Sequence, residues 1–375
     1  MSSYDILVVG AGQVGGHATE FLARRPEVRS IAVVDVNPAS AEGVAWRARL
    51  GALQEGKHVV TRGFGLDLMD EAATDALFAR IAPRVVFHAA TLLTVPEMHR
   101  GLKPEMFAAV REAGMGGFLS AHLVLGVKVQ RAIAKLPVPP PMIMASFPDF
   151  TNQVLAKLGR APITGIGNVD NMAGELQAIV ADGLGISALN VTPMIVAHHS
   201  VAEWFLRSGS AGIAPWFARV VINGVDRTDE FDTDALMTES ARRMRGVPQE
   251  QRTAASGVKA VLAVLRNDGT YIHSPGALGR LYSGPARLWA DRLELVPVPG
   301  LDEEKAMEIA RSGQRKGGVE AIEADGTIVA TDACAAMMQR LFDVDVRRVA
   351  PAAIEPTARA LRAALTRVIE ARQAG

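Results

Sequence analysis

The clearest chemistry in the chain lies in its first thirty-five residues. Ile6-Leu7-Val8-Val9 is an unbroken apolar run suited to a strand buried on both faces, and Gly10-Ala11-Gly12-Gln13-Val14-Gly15 follows it directly. Glycine at 10 permits a tight turn, glycine at 12 leaves the backbone open to a close anion, and glycine at 15 lets a helix pack against the strand. The N–H groups at the start of that helix, around Gln13 and Val14, would carry a partial positive charge toward a pyrophosphate. Asp35 lies twenty residues past Gly15, at the end of a second apolar run, Ile31-Ala32-Val33-Val34. A carboxylate there can accept hydrogen bonds from ribose hydroxyls and would repel a 2′-phosphate, so the pattern predicts NAD in preference to NADP. A tight strand-to-helix turn that binds nothing would need the same glycines, but not the acid at that distance.

These residues need a sheet to hold them, and the chain supplies one by alternation. A helix over Val14 to Leu22 is closed by Arg24-Arg25-Pro26, another begins near Asn37-Pro38, and weak strand character at His58 to Thr61 precedes a helix through Leu77 to Ile81. Arg84 to His88 reads as a fourth strand, with Ala89 and Ala90 just past it assigned to the cofactor, and Met142 to Ala145 as a fifth. Strict alternation predicts a parallel, doubly wound sheet. Between Thr91 and Gly117 the pattern fades: the segment reads either as a mobile cover for a substrate or as an ordinary helix over 105–113. A helix is expected over 118–136, ended by Pro137 to Pro141. The domain boundary is placed after Asp149, giving a nucleotide-binding domain over 1–149 and a substrate domain over 150–375. In the second half, Asn171 to Leu184 is helical, Val191 to Ala197 is a strand whose Pro193 suggests an edge or a bend, and 204–246 is irregular apart from a strand over Arg219 to Asn223 and a helix over Ala235 to Met244; helices over 253–265 and 358–372 and a strand over 293–298 complete it.

Composition excludes several classes. In 375 residues, forty basic and forty acidic side chains balance, so bulk charge points neither to nucleic acid nor to a membrane surface. Cys334 is the single cysteine, which rules out an internal disulfide and suits a buried small hydrophobe. No secretory leader is recognisable and no stretch reaches eighteen uninterrupted apolar residues, so a cytoplasmic protein acting on a small molecule is expected.

From Gly165-Ile166-Gly167-Asn168-Val169-Asp170, and again at Ala197-His198-His199, the chain resembles the lactate and malate dehydrogenase family. The order of features agrees: the glycine turn, Asp35, a loop after the fourth strand, a serine and proline after the fifth, a Gly-x-Gly segment ahead of an aspartate, then a histidine. Arg219 to Gly224, the helix from Thr253, and Asp291 to Ile309 are also similar to that family's carboxyl half. The resemblance implies a Rossmann domain followed by an α+β substrate domain, a dimer or tetramer, and an acid/base dyad in which His198 carries the proton and Asp170 orients it. Without the family order, Asp170 reads equally as a helix cap and His198 as a packed histidine.

The chain departs from the family where the substrate would bind. His199 replaces a glycine and is a candidate base or substrate contact. Ala173 stands where the family holds a carboxylate-binding arginine, Phe147 where it has an asparagine, and Ala89 to Leu93 lacks the loop arginine, with Arg100 and Lys103 further on. The missing guanidinium fork argues against a simple 2-hydroxy acid. Phe147, His199, Arg207 and Ser256 are the substrate candidates, with Arg219 a further cation. The expected activity is therefore an NAD-dependent oxidation or reduction of another alcohol or ketone. Alternatives are a non-redox reaction through transient oxidation, such as elimination, epimerisation or glycoside cleavage, and an NAD-binding sensor without turnover. Asp67-Leu68, the Arg84 to Ala90 stretch and the glycines also look like the extended short-chain dehydrogenases and epimerases, but Tyr4, Tyr271 and Tyr282 have no lysine four residues away to lower a phenol pKa.

Overall fold

The computed structural model describes residues 4–210 and 214–374. The apolar runs that alternate with helices assemble as β1 (Ile6–Val9), α1 (Gln13–Ala23), β2 (Ser30–Asp35), α2 (Pro38–Gln54), β3 (Val60–Gly65), α3 (Glu71–Ile81), β4 (Val85–His88), α4 (Val95–Gly101), α5 (Pro104–Ala113), α6 (Leu119–Ala134), β5 (Met142–Met144), α7 (Pro148–Lys157) and β6 (Thr164–Gly165). The six strands form one parallel sheet in the order β3-β2-β1-β4-β5-β6. The order reverses between β1 and β4, and the crevice outside the carboxyl ends of the strands at that point is where such sheets take ligands. All four residues of β1 and of β4 are buried, as continuous apolar runs in a two-sided sheet require.

The carboxyl half is α+β. It runs α8 (Val169–Leu184), β7 (Val191–Val196), α9 (His199–Ser208), β8 (Phe217–Ile222), β9 (Val225–Asp226), α10 (Thr233–Met244), α11 (Glu250–Arg266), β10 (Thr270–Pro275), β11 (Ser283–Leu288), β12 (Leu293–Leu295), α12 (Glu303–Lys316), β13 (Val319–Ile322), β14 (Ile328–Ala330), α13 (Asp332–Phe342), β15 (Arg348–Val349) and α14 (Ile354–Ala374). Three small antiparallel sheets result, and β7, with Pro193 in it, is the edge strand of one of them, since a residue without an N–H is tolerated there.

The core does not divide at residue 149. β6 extends the parallel sheet past that point. One buried cluster joins Leu7, Phe118 and Val129 to Met338, Phe342 and Leu361, and a second joins Val8 and Ile31 to Val258, Val261 and Leu288. Only a third cluster, around Leu176, Ile195 and Phe205, belongs to the carboxyl half alone. The segment after β4 is helical: α5 is the helix expected over 105–113, and α4 precedes it, with Pro96 and Pro104 in their first turns.

Candidate active site

The glycine turn has the shape its residues predict. Gly10 has φ 103°, and a Cβ there would lie 2.8 Å from the Ala90 nitrogen; a Cβ on Gly15 would lie 1.9 Å from the Gly10 carbonyl oxygen. A Cβ on Gly12 would meet nothing within 4 Å, so that face of the turn is open. Gly12 is the N-cap of α1 and no side chain caps the helix, which leaves the first N–H groups, near Gln13 and Val14, for an outside acceptor. Asp35 accepts from the Ala11 N–H (2.8 Å) and the Asn37 N–H (2.9 Å), which ties the acid to the turn while each oxygen keeps a further lone pair. Ala89 and Ala90 close the turn from β4. An uncapped helix start, a side-chain-free approach and a fixed carboxylate fit the dinucleotide expected there.

From Val14 a cleft of about 590 Å³ runs past Phe147 to α8, α9, α10 and α11. Phe147 follows β5 in the left-handed region (φ 48°), as the N-cap of α7, and its ring lies 4.2 Å from the His122 ring and 5.3 Å from the His199 ring. His199 is the first residue of α9 and lines the cleft. Its Nδ1 lies 3.0 Å from Asn168 Oδ1. Asn168 donates its amide N–H to Asp149 Oδ2, and Asp149 accepts from the Ser283 hydroxyl at its other oxygen (2.5 Å). An ionised carboxylate only accepts, so Asn168 turns its NH₂ to Asp149 and its oxygen to His199. His199 must then carry its proton on Nδ1, which leaves Nε2 basic. Asn168 holds an unusual backbone conformation (φ 45°, ψ −113°), of the kind that costs about 1–3 kcal/mol and persists where side-chain bonds over-determine it.

The structure separates the two residues that the family resemblance pairs. Asp170 is buried and accepts from Ser256 Oγ (2.6 Å), Lys259 Nζ (2.6 Å) and the His273 N–H (3.0 Å). Burial opposes its charge, but the Lys259 ammonium, with His273 and Ser256, outweighs it and holds the carboxyl below its ordinary pKa. His198 caps α9, its Nδ1 accepting from the Ser200 N–H (3.3 Å), and its Cβ packs against Gly313. Burial pulls its pKa down to about 4 against the pull of Asp149, and its Nε2 is buried without a partner. No hydrogen bond joins His198 to Asp170, and neither lines the cleft. Ser256 is likewise spent, donating to Asp170 and accepting from the Gly167 N–H (3.0 Å). Arg207 pairs with Glu112 (3.0 Å), lies 3.9 Å over the Trp204 ring, and lines a small pocket beside the cleft with Arg111, Phe147, His199 and Glu203. Of the four substrate candidates, Phe147 and His199 line the cleft.

Other residues there carry no sequence motif. Arg111 on α5 binds Glu203 on α9 (2.7 Å), and Glu203 Oε2 is 3.8 Å from His199 Nε2. Arg252 on α11 pairs with Glu175 on α8, and burial draws its pKa down to about 10. The His199 to Glu203 spacing of four was a usable signal, had a helix been expected at 199. Arg111 and Arg252 arrive from elements remote in sequence and left none.

A family model described as the NAD dependent epimerase/dehydratase family matches residues 6–112, the first four strands and the α4–α5 segment. Tyr271 donates its hydroxyl to the Pro193 carbonyl (3.0 Å), and burial raises the pKa of Tyr271, and of Tyr282 to about 12, the opposite of the lowered phenol that the epimerase reading needs. No curated protein sequence matches the chain. Among solved structures, malate dehydrogenase from Cryptosporidium parvum aligns at 16% identity over 84% of this chain and 98% of its own, with a TM-score of 0.61. Malate dehydrogenase from Plasmodium falciparum, in complex with NADH, aligns at 16% over 84% and 97%, with a TM-score of 0.57. Lactate dehydrogenase from Cryptosporidium parvum, complexed with lactic acid and nicotinamide adenine dinucleotide, aligns at 14% over 84% and 98%, with a TM-score of 0.58. The chain has the lactate/malate dehydrogenase fold.

Proposed function

We propose that the protein is an NAD-dependent oxidoreductase acting on an alcohol or ketone other than a simple 2-hydroxy acid. The observation that carries this reading is one continuous cleft lined both by Val14, just past the glycine turn, and by an oriented histidine. NAD, when bound, supplies the hydride acceptor, and its reduced form the donor. Gly12 would leave room for the pyrophosphate on a turn that Gly10 and Gly15 allow to close, the start of α1 would neutralise it, Asp35 would receive the ribose hydroxyls, and Ala89 and Ala90 would border the same site.

His199 is the proton carrier in this reading, in place of His198. Its Nε2 takes the hydroxyl proton as a carbinol is oxidised and returns it in the reverse direction. Asn168 fixes the tautomer, Asp149 fixes Asn168, and Phe147 excludes water beside the imidazole. Asp170, with Lys259 and Ser256, braces the start of α8, which carries Asn168 as its N-cap.

The test pairs binding with turnover. NADH should bind with a fluorescence change, and His199→Asn should lose turnover by about 10²–10⁴-fold while NADH affinity stays within about threefold. Absence of NADH binding would reject the cofactor, and undiminished turnover would reject His199. His198→Asn, by contrast, should act mainly on stability. A homodimer or homotetramer, a cytoplasmic location and the absence of nucleic-acid or membrane partners belong to the same proposal; no helix among the described residues is long and apolar enough to cross a membrane.

A further inference from the structure

Two guanidinium groups reach the cleft, and each is already matched. Arg111 is bound by Glu203 (2.7 Å) across the gap between α5 and α9, and Arg252 is bound by Glu175, which also accepts from the Ser240 hydroxyl (2.6 Å). The charged groups lining the cleft are these two pairs, and they sum to zero. Arg252, Arg111 and Glu203 are each about one quarter exposed and Glu175 less, and the Arg252 Nε is buried without a hydrogen-bond partner among the described residues, out of reach of the cleft. Most of the remaining wall is apolar, with Phe107, Met115, Phe147, Met172, Phe205 and Met237 spread around it.

This arrangement discriminates by charge. A ligand carboxylate entering the cleft meets no free cation and sits beside Glu203 and Glu175, so it loses hydration without a compensating bond. A hydroxyl needs one acceptor, which His199 Nε2 supplies in the neutral ring, and a carbonyl needs one donor, which the same nitrogen supplies when the ring is protonated, its Nδ1–H staying on Asn168 Oδ1 in both forms. The apolar wall and a volume of about 590 Å³ reward a body larger than that of a three- or four-carbon acid. Resting on the oxidoreductase reading, we infer that the substrate is an uncharged alcohol or ketone with an extended apolar body, and that Glu203 is the specificity-determining residue that keeps Arg111 from accepting a carboxylate.

Matched ligands test this by binding, independently of turnover. Calorimetry on the full chain with saturating NADH present would compare 2-octanone with 2-oxooctanoate. The ketone is expected to bind at least tenfold more tightly. In Glu203→Gln, which releases Arg111, the oxo acid should gain at least tenfold while the ketone changes by less than threefold. The double variant Glu203→Gln with Arg111→Gln should lose that gain, which separates a freed guanidinium from a general loosening of the cleft. An oxo acid that binds as well as the ketone, an unchanged preference in Glu203→Gln, or binding of neither ligand would overturn the inference. Failure of the oxidoreductase reading shows up elsewhere, as missing NADH binding or as His199→Asn turnover equal to that of the parent.

Discussion

Asn168 is the residue on which the candidate site turns. Its backbone lies where few side chains are comfortable, and its amide spans from the buried Asp149 to His199. The two roles separate experimentally. Asn168→Gly should relieve the backbone and keep the melting temperature within about 2 °C, yet lower kcat by about 10- to 100-fold, because the imidazole loses the group that selects its tautomer. A loss of stability with kcat retained would make Asn168 a structural turn only. Sequence reading came close to this residue without choosing it. The Gly-x-Gly segment ahead of Asp170 was visible, but a family order assigns roles by position, and here Asp170 has been drawn onto Lys259 and Ser256. An interaction between Asn168 and His199 is a property of how α8 and α9 meet, which spacing along the chain does not record.

At the scale of elements, the first strand, turn and helix were legible because every constraint is local. Steric demand at Gly10 and Gly15, an open face at Gly12 and a carboxylate at the end of β2 all act within thirty-five residues. This yields a contrast between neighbouring substitutions. Gly15→Ala should destabilise the protein by several kcal/mol or prevent folding, since its Cβ would fall on the Gly10 carbonyl. Gly12→Ala should fold with a nearly unchanged melting temperature and lose NADH affinity by about tenfold or more, because the methyl group projects only into space reserved for the ligand. Equal NADH titrations for Gly12→Ala and the parent would remove the glycine turn from the cofactor site. In the second half α8, α10, α11 and α14 were legible from their periodicity, and α9 was harder. α9 starts at a histidine pair and crosses a stretch read as irregular, and its apolar residues Val201 and Phe205 gain meaning only from the cluster they join.

For the whole molecule, burial of histidine sets an expectation for acid. Burial drives His88 and His198 to pKa values of about 4 and His122 and His273 to about 3, and a further like charge on His199 adds to the shift at His122. These groups are neutral when folded and take up protons more readily when unfolded, where histidine titrates near 6.5. The unfolded chain therefore binds more protons between about pH 6.5 and 4, so the stability they contribute is complete above 6.5 and lost as pH falls through that window. The melting temperature should drop by more than about 5 °C between pH 7 and pH 5, and His88→Leu should flatten the profile, since neither ring nitrogen of His88 has a partner. A melting temperature independent of pH over that range would contradict the burial of these rings. The shared cores carry one more consequence. Arg362 on α14 bonds Glu97 and the Leu92 carbonyl, and Arg372 bonds the Leu102 carbonyl, so the last helix straps down the α4 wall of the cleft. On the ribosome, the dinucleotide turn emerges early, but the wall that closes the catalytic side waits for α14. Because Val8 and Ile31 beneath that turn pack on Val258, Val261 and Leu288, the nascent chain completes neither the cofactor end nor the selecting wall until most of it has been made, and the two arrive together near the close of synthesis.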